Sequence, residues 1–175
     1  MAKRYSCAIF LATLFEIRLV MRKLLHAVSL IALAFLLWVT WSAIYGPNRL
    51  AGRIPTHFAL NGQADAWGQP KMLVLLPAVA VFLYVMMTLV SRFPGAFNYP
   101  VRVTAQNRPR LQRIAQNMIT WLTAETVCLF TALQYFIVQA IRTEHNALPP
   151  GLMIVAIVII FFTMAIHIAA MRRAA

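Results

Sequence analysis

The chain has 175 residues, of which 62% are hydrophobic and 11% charged, against about 45–50% and about 25% in an average soluble domain. With a mean hydropathy of +0.74, this composition excludes a disordered chain, a secreted disulfide scaffold and an ordinary cytosolic enzyme, and it identifies a membrane protein short enough to be one domain. Lys and Arg number 16 against 4 Asp and Glu, a formal net charge of +12, and the positive residues sit in short segments between long apolar runs, which fits membrane topogenesis and anionic lipid rather than nucleic acid.

Residues 1–20 read MAKRYSCAIFLATLFEIRLV. Their apolar stretch, 7–15, is too short to span a bilayer and is followed by Glu16 and Arg18. The basic start resembles a signal peptide, but no small-x-small cleavage site precedes the next apolar run. Two readings stay open: an extension upstream of the true start, because Met21-Arg22-Lys23 before a long apolar helix looks like a start in its own right, or a helix lying on the membrane surface.

Four later stretches reach the length of about 20 apolar residues that a transmembrane helix needs. They are 24–45, 72–91, 116–141 and 152–171. Backbone groups in lipid must be satisfied within the segment, so each is expected to be a helix. The expected fold is an all-α integral membrane protein, with 21–175 a single domain folded as an antiparallel four-helix bundle. Trp38, Trp41 and Tyr45 suit an interfacial aromatic belt. Pro77 is expected to bend the second span.

Positive charge sets the expected orientation. Counting from Met21, one side holds Arg22, Lys23, Arg92, Arg102, Arg108, Arg110, Arg113, Arg172 and Arg173, and the other holds Arg49, Arg53, Lys71 and Arg142. The first side should be cytoplasmic, with both termini on it and the protein multi-pass in the cell (inner) membrane.

The outer loop, 46–71, reads GPNRLAGRIPTHFALNGQADAWGQPK and is expected to be a chain of turns. Ile54 precedes Pro55, so 53–58 should be extended. Asn61-Gly62 is a turn dipeptide that favours positive φ. Phe58 and Trp67 are placed on the headgroup layer. The spacing of Ile54, Pro55, His57, Phe58, Gly62, Asp65, Trp67 and Gly68, between two apolar helices, resembles the domain of unknown function 1648. The stretch FNYPVRVTAQNRPRLQ, 97–112, is similar to the segment after the second helix in that family, so the resemblance covers about 43–112. It implies a membrane domain without a settled activity. The same domain occurs in Sdp-type toxin-immunity proteins, which are understood to sequester a repressor.

His57 and Asp65 are the acid–base pair of the loop. With His145 they form a weak candidate metal trio, because zinc takes at least three protein ligands. The alternative is that they hydrogen-bond loop backbone and fix its shape. Glu125 lies about ten residues inside the third span, where a carboxylate is costly and faces a bundle interior or water. His167 is its expected partner, with Thr123 and Ser29 as alternatives, and its role is either a proton or ligand site or a helix-to-helix bond. Gln134 and Gln139 are expected to be packing bonds. Arg102, Arg108, Arg110 and Arg113 are expected to meet lipid phosphate or a cytoplasmic regulator. Cys7 and Cys128 show no metal or disulfide spacing and are expected to be small buried hydrophobes.

No P-loop, HExxH, GxSxG or haem motif occurs, so no enzyme and no cofactor are expected. The functional expectation is an immunity or envelope-signalling accessory protein with an outer motif loop. The alternatives are an accessory subunit of a larger membrane complex and a proton-coupled transporter or membrane enzyme using Glu125. The expected partners are the bilayer, a regulator or complex subunits, or a second copy of the chain.

Overall fold

The computed structural model describes residues 2–59, 61–144, 147–149 and 151–174, and the side chains of these except 2–15 and 18. Its elements in order are α1 (Ala2–Tyr45), β1 (Ile54–Phe58), β2 (Ala64–Gly68), α2 (Leu75–Val90), α3 (Arg108–Arg142) and α4 (Leu152–Arg172), with 3-10 turns at Pro70–Val74 and Pro94–Ala96. Four helical segments are long and apolar enough to cross a membrane: Leu19–Tyr45, Pro70–Val90, Arg108–Arg142 and Leu152–Arg172. They coincide with the four expected spans. The two strands depart from the expected all-helical fold.

Residues 2–20 continue the helix of the first span without a break. At 1.5 Å per residue, α1 is about 66 Å long, roughly twice the hydrocarbon thickness, so one end extends well beyond it.

Helix α3 is the centre of the fold and packs against α1, α2 and α4. Its buried residues, among them Thr120, Thr123, Ala124, Val127, Gln134, Ile137 and Val138, recur at helical spacing. Several are small, which lets neighbouring backbones approach closely. Three buried hydroxyls are satisfied within their own helices: Ser29 donates to the Leu25 carbonyl at 2.8 Å, Thr40 to Leu36 at 2.8 Å and Thr123 to Ile119 at 2.7 Å. Ser29 and Thr123 are therefore not the partners of Glu125 that the sequence allowed. Helix α4 is apolar along its length, packs chiefly on α3, and keeps most of its large side chains exposed.

Pro77 sits in the first turn of α2, where its ring is tolerated. The span begins as a 3-10 turn and passes into α-helix at Leu75. In an α-helix the N–H of residue 77 would bond the carbonyl of residue 73. Proline has no N–H. The amide of Gln134, fully buried on α3, donates to the Leu73 carbonyl instead, at 3.1 Å. The same amide nitrogen donates to Thr40 Oγ1 on α1 at 2.9 Å. One side chain thus joins three helices where Val39, Ala43, Leu73, Ile137 and Val138 form an apolar cluster. A second link, from Thr131 Oγ1 to the Ala32 carbonyl at 3.2 Å, ties α3 to α1 further along.

At the other end of α3, Leu111 and Ala115 are buried with Met171 and Ala174, and Phe97, Tyr99 and Val101 pack on them. The start of α3 is fixed by a reciprocal pair: Asn107 Oδ1 accepts from the Thr104 N–H at 2.8 Å, and Thr104 Oγ1 accepts from the Asn107 N–H at 3.2 Å.

Gln134→Leu is expected to lower stability by about 1–2 kcal/mol. Pro77→Ala supplies the missing N–H and should at least halve that loss in the double variant. Unfolding in mixed micelles by SDS titration measures both, and equal losses in the two backgrounds would break the link between Pro77 and Gln134.

Candidate functional site

Strands β1 and β2 form an antiparallel hairpin after α1. Ile54 pairs with Gly68, Pro55 with Trp67, His57 with Ala66 and Phe58 with Ala64. The register shifts on either side of His57, leaving Thr56 and Asp65 without ladder partners. Such bulges twist a ribbon and re-aim its side chains. Here they bring His57 Nδ1 to 2.5 Å from Asp65 Oδ1, as an exposed pair. Both side chains stay largely in solvent, at 68% and 48% exposed. They bond each other rather than the loop backbone, which corrects that expectation.

The hairpin is fastened to the helices on its other face. Ile54 is 1% exposed and joins the cluster of Val39, Ala43, Leu73 and Ile137. Phe58 packs on the same cluster, so it points inward and not to a headgroup layer; Trp67 remains exposed. The Arg53 guanidinium donates to the Trp67 carbonyl at 2.9 Å. The Asn61-Gly62 turn forms as expected, with Asn61 Oδ1 accepting from the Gln63 N–H at 3.0 Å. Gly62 has φ +81°, and a Cβ there would lie 2.9 Å from the Leu148 carbonyl oxygen. The Leu148 N–H donates to the Gly62 carbonyl at 3.0 Å, and Gln63 bridges Ala147. The tip of the hairpin is therefore clipped to the connection between α3 and α4. At Gly68 a Cβ would meet the Thr56 methyl at 2.7 Å, so a larger residue there makes the exposed Thr56 side chain turn away.

Among the described residues no group of three or more His, Cys, Asp or Glu side chains gathers as a metal site. His145, the third member of the trio suggested by sequence, lies outside the described residues.

Glu125 is bound differently from the sequence expectation. Thr163 Oγ1 on α4 donates to Glu125 Oε1 at 2.5 Å. His167 Nδ1 bonds the Thr163 carbonyl at 2.8 Å and so supports the threonine rather than the carboxyl. Glu125 Oε2 is buried with no partner among the described residues. The side chain lines a groove of about 370 Å³ between α1, α3 and α4, with Leu25, Val28, Trp121, Cys128 and Val155. Cys128 is exposed on this groove, not buried as expected of a small hydrophobe, because it lies on the α3 face that the other helices leave open. The arrangement holds one carboxyl oxygen in place and leaves the other able to accept a donor.

At the start of α3, Arg110 and Arg113 line a cleft with Arg173, and Arg110 shares a neighbouring cleft with Arg102. Arg108 is exposed and lines neither. Sequence reasoning placed Arg173 on the same side of the membrane but not in this group; the signal that could have found it is that the end of α4 returns to the start of α3. Nothing in the sequence pointed to Thr163 or Leu148, since both act through long-range contacts. In the adjoining connection Tyr99 donates to the Pro94 carbonyl at 2.7 Å, and burial raises its pKa above the ordinary phenol value.

Gly62→Val is expected to cost about 1–3 kcal/mol, through positive φ and the Leu148 contact. His57→Gln and Asp65→Asn should each cost no more than about 1 kcal/mol, as for an exposed pair. Glu125→Gln keeps an oxygen for Thr163 and should stay within about 1 kcal/mol of wild type. SDS-titration midpoints of the four variants check this ranking.

Comparison with known proteins bears on the hairpin and its flanking helices. Residues 30–81 match the family model described as a domain of unknown function, DUF1648. A stretch of 86 residues is 36% identical to an uncharacterized protein of Archaeoglobus fulgidus, covering 45% of this chain and 45% of that protein. The chain thus spans less than half the length of this curated relative. No solved structure matches. The last third of α1, both strands with the eight motif residues, and the start of α2 constitute the segment that matches the DUF1648 family, and α3 and α4 lie beyond it.

Proposed function

We propose that the protein is a four-pass membrane protein of the accessory type, serving envelope immunity or signalling without catalysis of its own. The hairpin receives an external ligand or protein, and the arginine-rich connection faces the cytoplasm, where it can meet a regulator. The helices run antiparallel and both termini are cytoplasmic, as the excess of arginine at that end favours. The observation that carries this reading is the hairpin's two-sidedness. Ile54 and the Gly62–Leu148 bond hold it rigidly on the helices, while His57, Asp65 and Trp67 stand exposed on it. A short ribbon held in one pose, with an aromatic and a hydrogen-bonded His–Asp pair facing out, is a recognition surface with little ordering entropy to lose on binding.

A second reading is favoured by α4, whose exposed apolar face would also suit packing against subunits of a larger membrane complex. Photocrosslinking in native membranes separates the two. A photoreactive residue at Trp67 should capture a discrete protein or ligand, whereas one at Tyr45 should label lipid. Capture only from positions on α4, such as Phe161, with none from Trp67, would replace the first reading by the second.

A further inference from the structure

The arginine-rich end carries Arg92, Arg102, Arg108, Arg110, Arg113, Arg172 and Arg173. The sequence has no Asp or Glu between Asp65 and Glu125, and none after Glu144. These guanidinium groups therefore have no acidic side chain of their own segments to pair with. Arg110 and Arg113 from α3 and Arg173 from the end of α4 line one cleft of about 470 Å³. Its remaining wall is apolar: Ile114, Ile166, Ala169 and Ala170. A second cleft of about 470 Å³ adjoins it, lined by Arg102, Thr104, Gln106 and Asn107 and sharing Arg110.

The backbone under these side chains is fixed. Leu111, Ala115, Met171 and Ala174 are buried together, and they alternate along the chain with the arginines. Like charges held at close range repel one another, so an anion between them is favoured. Guanidinium matches phosphate oxygens in paired hydrogen bonds. A soluble phosphate has no use for the isoleucine and alanine wall. A lipid uses both: its phosphate meets the arginines and its chains follow the seam between α3 and α4 into the apolar region.

We propose that the cleft between the start of α3 and the end of α4 binds an anionic phospholipid, its phosphate held by Arg110, Arg113 and Arg173 and its chains lying on Ile114, Ile166 and Ala169. The proposal rests on these helices crossing a bilayer and not on any role of the hairpin.

Native mass spectrometry of the full chain in mild detergent tests it, with phosphatidylglycerol and phosphatidylcholine of identical chains. Phosphatidylglycerol should bind at least about fivefold more tightly. Arg113→Gln and Arg173→Gln should each weaken it about fivefold and leave phosphatidylcholine unchanged. Arg92→Gln, at the same end but outside both clefts, should change binding by less than about twofold. Equal binding of the two lipids by the wild-type chain overturns the proposal without recourse to any variant. An Arg92→Gln loss equal to that of Arg173→Gln also overturns it, because the charge then acts diffusely. Displacement of the lipid by inorganic phosphate at equal concentration overturns it in favour of a soluble anion site.

Discussion

The carbonyl of Leu73 is the group on which the arrangement of helices turns. It lies at the junction of a 3-10 turn and α2, buried from water, and the residue that would have capped it is a proline. A buried carbonyl without a donor costs on the order of 1–3 kcal/mol. The structure answers with a glutamine from α3, whose amide nitrogen reaches this carbonyl and a threonine of α1 while its own Oε1 stays buried without a partner among the described residues. Position and rotation of three helices are thereby set at one point. Apolar packing around that point, by Val39, Leu73, Ile137 and Val138, is non-directional and would tolerate a range of rotations. The amide, which must meet two acceptors, would not.

Much of this is legible in the chain alone. Span lengths follow from the thickness of hydrocarbon, and the four apolar runs have few other uses. Asn61-Gly62 announces a turn because few residues accept positive φ. The pairing of the hairpin is hidden, since Thr56 and Asp65 break the alternation by which strands are recognised. Phe58 turns inward onto the cluster around Ile54 instead of outward with Trp67, since a bulge changes the face a side chain takes. The partner of Glu125 is hidden too. Thr163 lies 38 residues away, and a threonine in an apolar helix ordinarily bonds its own backbone.

The two ends of the molecule differ in kind. At the hairpin end, the carboxylate of Asp65 is engaged by His57, and the backbone is held by hydrogen bonds from two directions. At the arginine end, the backbone is held by apolar burial and the charge is left unbalanced within the chain. The first is a surface of defined shape whose cations are fewer and lie beside acids. The second is a strong field on a firm base, which draws in whatever anion the surroundings supply.

The clip between Gly62 and Leu148 has a consequence for biogenesis. The two residues are 86 positions apart, so the ribbon tip emerges from the ribosome long before the connection that holds it. At about 5–20 residues per second the interval is roughly 4–17 s. Gln134 likewise trails Pro77 by 57 residues. During that interval the first two spans carry an uncapped carbonyl and a half-fastened ribbon, and only the arrival of α3 and its adjoining connection closes both. The segment that matches the family is in this sense a receptacle, shaped in advance and completed by the helix made after it.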